Sequence, residues 1–157
     1  MSESAWSPTK PSAWIIYHSR SGHTEKLAHA IAEHLGKLAL EVTVSRWDQA
    51  EPQELLRYDI IILGSPTYFG NISAELKGFV DRSISVYRQL NGKRGGVFTT
   101  AGSAADLEKC VTALGWALEI HGIEVLARAG LTDRVSDDER ESAAHQFATE
   151  MRHKLGI

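Results

Sequence analysis

The sequence predicts an α/β domain: a three-layer sandwich with a five-stranded parallel sheet in the order 2-1-3-4-5. Three observations predict it. Short apolar runs alternate with stretches of helical period along the chain from residue 13 onward. Ile60-Ile61-Ile62-Leu63 is apolar on both faces, as a central parallel strand must be. The segment Ile15–Thr24 passes from an apolar run into a turn with three hydroxyls and a glycine, then into a helix start.

Each element follows from its own pattern. Ala13–His18 is the first strand, and Thr24–Leu38 is a helix with Leu27, Ile31, Leu35 and Leu38 on one face. Glu41–Arg46 alternates Val42 and Val44 with polar residues, as an edge strand does. Pro52–Arg57 reads as a short proline-started helical turn, and Asp59–Gly64 as the third strand. Ser73–Val86 is helical, with Leu76, Phe79, Val80 and either Ser83 or Ile84 inward. Gly95–Thr99 is the fourth strand, Ala105–His121 a helix through Leu107, Val111, Leu114 and Leu118, and Ile123–Ala129 the fifth strand. Ser136 N-caps a last helix, Ser136–Lys154, with Phe147, Met151 and Leu155 on its core face. Residues 1–12 read as a mobile, polar, proline-bearing tail in which Trp6 has no evident role; residues 13–157 form one domain.

Bulk properties narrow the function. At 157 residues the chain suits one domain with a substantial core. A net charge of −3 leaves no basic footprint for nucleic acid. Cys110 is the only cysteine, which excludes an intramolecular disulfide and fits a reducing compartment. No apolar run approaches the roughly 20 residues that span a bilayer, and the N-terminus does not read as a signal peptide. These features place the expected location in the cytoplasm, away from membranes. His29 and His34 are five apart on one helix, whereas helical metal ligands use three or four, so no metal site is expected.

In this topology the loops after strands 1, 3 and 4 meet at one crevice beyond the strand C-termini. They are also the chemically unusual loops. Ser19–Thr24 offers hydroxyls from Ser19, Ser21 and Thr24, and Gly22 allows close backbone approach. A helix N-terminus with such a turn suits a phosphate, and the lack of a lysine points to a phosphomonoester rather than a triphosphate. Gly64–Asn71 holds adjacent aromatics, Tyr68 and Phe69, between Pro66 and Gly70, and suits a planar ring; Phe69 is the one expected at the ligand edge. Thr99–Ala104 is built of small residues that let backbone approach a flat ligand.

At these residues the chain resembles the flavodoxin-like FMN proteins. It resembles most the tryptophan-repressor-binding-protein type of NAD(P)H:quinone oxidoreductase, over about residues 13–130. The segment Gly64-Ser-Pro-Thr-Tyr-Phe-Gly-Asn-Ile-Ser-Ala-Glu-Leu-Lys-Gly-Phe-Val-Asp-Arg82 carries most of the likeness. The resemblance implies that Ser19, Arg20, Ser21, Gly22, His23 and Thr24 hold the FMN phosphate. It implies that Thr67, Tyr68, Phe69, Gly70 and Asn71, on a turn stiffened by Pro66, line the isoalloxazine. Thr100, Ala101, Gly102, Ser103 and Ala104 would close over the ring and ribityl chain, and Tyr87 would stand beside the substrate. The chain departs from that family in four places. The third loop is less glycine-rich, Tyr68 stands where an arginine is common, and the long insertion after the fifth strand is absent. Ile120 occupies the position of a flavin-contacting histidine; His121 follows it, at the helix end opposite the crevice, and is left out of the site.

The expected function is an FMN-dependent oxidoreductase that passes electrons from NAD(P)H to a quinone in ping-pong order, with no catalytic side chain because the flavin carries the chemistry. Amides of the third loop would stabilise the reduced ring, and His23 would add partial positive charge by the phosphate. The alternative is a flavodoxin-type carrier without its own substrate. Compact length and the missing insertion favour the carrier; the modest negative charge does not. A domain that binds no flavin and acts through partners fits least with the intact loop set. Expected partners are a quinone or a redox-partner protein, and a symmetric homodimer is the expected assembly.

Overall fold

A computed structural model describes residues 9–157. β1 (Ser12–Tyr17) leads to α1 (His23–Gly36) and β2 (Glu41–Arg46). Two 3-10 turns, Trp47–Gln49 and Pro52–Arg57, precede β3 (Ile60–Tyr68), the two-residue β4 (Asn71–Ile72) and α2 (Ala74–Arg82). β5 (Arg94–Ala101), α3 (Leu107–Glu119), β6 (Glu124–Thr132) and α4 (Asp137–Leu155) complete the chain. Five strands are parallel in the order β2-β1-β3-β5-β6, and β4 pairs antiparallel with the end of β3. With β4 set aside, this is the expected 2-1-3-4-5 sheet.

The two-faced strands feed two separate cores. Successive residues of β1 and β3 point to opposite layers. Ile15, Ile60, Ile62 and Phe98 pack with Leu27, Ile31 and Leu35 of α1 and Phe147 and Met151 of α4. Trp14, Ile16, Ile61, Leu63 and Val97 pack with Leu76 and Phe79 of α2 and Cys110, Leu114 and Leu118 of α3. Ser136 caps α4 in a capping box with Glu139.

The strands differ from expectation at their C-terminal ends. β3 continues four residues past Gly64, because Ser65 and Pro66 pair with Thr99 and Thr100 of β5. β5 in turn pairs with β6 as far as Ala101 opposite Thr132. β1 pairs with β3 only to Gly64, so Pro66 lies where that flank of the strand is free, and a proline is tolerated there. Hence the expected second loop is mostly strand. The helix expected over Ser73–Val86 changes to a 3-10 turn at Ser83–Val86, where Ser83 Oγ donates to the Val80 carbonyl. Ile84 is exposed and Ser83 buried, which decides which of the two faces inward. The helix expected from Ala105 begins as a 3-10 turn, Ala104–Asp106. Of the expected tail, residues 1–8, Trp6 included, lie outside the described residues. The Pro11 carbonyl accepts the Glu41 N–H, and Ser12 already belongs to β1.

Candidate functional site

The carboxyl ends of β1, β3 and β5 bring the three singled-out segments to one rim. In the first, the Gly22 N–H donates to Ser19 Oγ at 3.1 Å and closes the turn. Gly22 adopts φ +96° at the N-cap of α1, and no side chain caps that helix. A Cβ on Gly22 would meet nothing within 4 Å, so the space over the helix start is open while the backbone conformation demands glycine. Arg20 and Ser21 are exposed there, and Ser19 and His23 half-buried. Uncapped N–H groups beside open space, in a turn that also carries hydroxyls, a guanidinium and an imidazole, suit an anion. Glu25, the acid of the first turn, is engaged by the Tyr17 hydroxyl at 2.5 Å. Burial first, then that carboxylate, pushes the Tyr17 phenol up to about 12.

The second segment ends in a two-residue hairpin. Phe69 and Gly70 both have positive φ, 51° and 74°, between Tyr68 and its partner Asn71. This backbone is costly for an aromatic residue. Phe69 is 106% exposed and Tyr68 half-buried, so a large ring stands free at the rim. The third segment places Gly102, Ser103 and Ala104 in the open after the buried Thr100 and Ala101.

Buried hydroxyls fasten the segments to one another. Thr24 Oγ1 and Thr100 Oγ1 are 2.7 Å apart, joining the start of α1 to the end of β5. Thr67 Oγ1 and Thr99 Oγ1 are 2.6 Å apart, and Thr99 Oγ1 donates to the Ser65 carbonyl at 2.7 Å. Thr24, Pro66, Thr100 and Ala101 are therefore buried framework at this rim. Arg20, Ser21, Phe69, Asn71, Gly102, Ser103 and Ala104 are the residues presented to solvent.

Tyr87 is not brought to this rim. α2 runs antiparallel to the strands, so the segment after it returns to the amino ends, where Tyr87 lies 6.1 Å from the His121 ring. Sequence reasoning missed His18, Trp47, Ser73 and Glu75, which cluster beneath the crevice. His18 Nδ1 is 2.8 Å from Ser73 Oγ, its Nε2 is 3.2 Å from Glu75 Oε2, and its ring meets Trp47 edge-on. The available signal was a histidine ending a buried strand directly before the hydroxyl turn.

A groove of about 550 Å³ runs between α2 and α3 past Ile72, Val80, Trp116 and Ile120. Its charged side chains pair locally, Lys77 with Asp81 and Lys109 with Asp106. The crevice is preferred on its chemistry, since its polar groups face open space.

A flavodoxin-domain family model matches residues 14–125. The fold resembles Flavodoxin 2 of Bacillus cereus, with 29% identity, a TM-score of 0.81, and 91% of this chain and 99% of that one covered. A flavodoxin of Streptococcus pneumoniae is 26% identical with a TM-score of 0.78, over 91% and 99%. A WrbA-like flavodoxin of Agrobacterium tumefaciens is also 26% identical, with a TM-score of 0.74, over 91% and 98%. With its sheet order, its helix-start turn and a family match over most of its length, the chain belongs to the flavodoxin-domain family.

Proposed function

We propose that the crevice binds FMN and that the protein is an electron carrier of the flavodoxin type. The observation that carries this is the fastening of three different segments, by the Thr24–Thr100 and Thr67–Thr99 hydroxyl pairs, around an open helix N-terminus and a free aromatic ring. The donor set fits the cofactor. Ser19, Ser21, the amides after Gly22, Arg20 and His23 would hold the phosphate. Phe69 and Tyr68 would flank the ring, and the small residues Gly102–Ala104 would let backbone approach it. Bound FMN would supply the redox chemistry. The protein's part is to bind, orient and shield, and no side-chain acid or nucleophile is required.

The carrier is placed ahead of the reductase expected from the sequence on one observation. The aromatic expected beside a substrate, Tyr87, lies at the opposite rim of the same chain. NAD(P)H:quinone oxidoreductase activity is the second reading, favoured by the Gly64–Arg82 segment and the WrbA-like neighbour. Titration of apo-protein with FMN, followed by quenching of flavin fluorescence, tests the binding; saturable quenching at one equivalent is expected, and none would overturn it. NADPH oxidation by the loaded protein with benzoquinone separates the readings. Turnover without an added reductase would replace the carrier with the enzyme.

A further inference from the structure

We propose that His18 is a positioning residue whose neutral imidazole locks the phosphate turn to the aromatic hairpin, so that its protonation loosens flavin binding. The inference rests on the crevice being the FMN site.

The geometry assigns the tautomer. Ser73 Oγ caps α2 by accepting the Leu76 N–H at 3.2 Å, so its own proton needs an acceptor. His18 Nδ1, 2.8 Å away and buried, is that acceptor. Nε2 faces the Glu75 carboxylate and carries the proton. His18 is thus neutral, with hydrogen on Nε2 and both ring nitrogens used.

This latch reaches both halves of the site. His18 immediately precedes Ser19, and its N–H donates to the Gly64 carbonyl at 3.1 Å. On the other side, the Ser73 N–H donates to Ser65 Oγ at 2.9 Å, and Ser65 Oγ donates to the Pro66 carbonyl at 2.7 Å. One imidazole therefore connects the turn that begins at Ser19 with the strand end that carries Tyr68 and Phe69. Protonating Nδ1 sets two donors against each other, and the Ser73 hydroxyl proton loses its acceptor in a buried place.

The surroundings favour the neutral ring. Burial is the main influence holding the His18 titration below the ordinary histidine range. Glu75 of α2 and Asp48 of the turn after β2 oppose it, and Arg46 at the end of β2 reinforces it. Arg46 and Asp48 pair at 3.3 Å, so Glu75 is the main charged group favouring the imidazolium.

The test uses the whole chain. A long-range nitrogen–proton NMR spectrum of the apo-protein at pH 7.5 should show His18 with its proton on Nε2; the Nδ1–H tautomer would overturn the latch whether or not FMN binds. FMN affinity is then measured from pH 7.5 to pH 5 for wild type, His18→Asn, His18→Ala and Glu75→Gln. Asparagine can return an acceptor to Ser73 but cannot titrate. It should stay within about threefold of wild type at pH 7.5, whereas alanine should lose about tenfold. The fall in affinity on acidification should be shallower in His18→Asn, where position 18 no longer titrates. In Glu75→Gln it should move to lower pH. Equal affinities for wild type and alanine at pH 7.5, or parallel pH profiles for wild type and asparagine, would overturn the proposal. If alanine does not fold, the asparagine and Glu75→Gln profiles decide. Wild type that binds no FMN at any pH would defeat the FMN reading instead, and leave the tautomer to its own spectrum.

Discussion

At the carboxyl rim, the buried hydroxyls of Thr24, Ser65, Ser73, Thr99 and Thr100 and the imidazole of His18 all have hydrogen-bond partners. At the amino rim, His121 is also buried. There its Nε2 donates to Ser83 Oγ, whose proton goes to Val80, but Nδ1 has no partner among the described residues. Next to it lies a small cavity walled by Leu55, Ile61, Leu63, Phe79 and Leu90. The same sheet thus carries a fully satisfied polar network at one end and an orphaned acceptor against apolar side chains at the other. An orphan of this kind costs about 1–3 kcal/mol. The molecule bears it where no loop needs to be positioned, and avoids it where three segments must be held in one geometry.

The largest effect is expected at Gly22. Gly22→Val forces a β-branched residue into φ +96° and fills the open space over the helix start. FMN affinity should fall by at least about a hundredfold, against a stability loss of only about 1–3 kcal/mol. Fluorescence titration beside urea unfolding checks both, and an unchanged dissociation constant would mean that the ligand lies elsewhere. Thr99→Val keeps the shape but removes a donor from Ser65 and a partner from Thr67. It should cost about 1–3 kcal/mol and weaken FMN binding as the strand end loosens. At the other rim, His121→Leu removes the orphaned nitrogen together with the Nε2–Ser83 bond, and leaves the Ser83–Val80 bond in place. Stability should rise by about 1 kcal/mol with FMN affinity unchanged. A loss of stability there would show that the Nε2–Ser83 bond outweighs the cost of the orphan.

The smallest effect is on pH dependence. Burial lowers the titration of both His18 and His121, so the unfolded chain binds more protons than the folded one in mild acid. That stability is present above the ordinary histidine value, about pH 6.5, and is lost as pH falls through the lower folded-state values. Unfolding midpoints from pH 7.5 to pH 5 should therefore decline, and the slope should be shallower in His121→Leu. An equal slope would assign the effect to other groups.

Local chemistry could be read from neighbours along the chain. Period and apolar content identified five strands and four helices, because two-faced burial and helical stripes are written in consecutive residues. Ser136 could be read as a helix cap, and Ser19–Thr24 as a turn leading into a helix start, because each needs only neighbours in the chain. Features that depend on partners far along the chain emerged only on folding. β3 runs past Gly64 because β5 lies beside it, and no residue near Gly64 records that. Tyr87 goes to the amino rim because a helix antiparallel to the strands ends there. His18 meets Ser73 across 55 residues, so the latch exists only once α2 has packed against the end of β1. Covalent order and side-chain period act over a few residues; hydrogen bonds between strand ends and loops form only when the sheet brings them within about 3 Å.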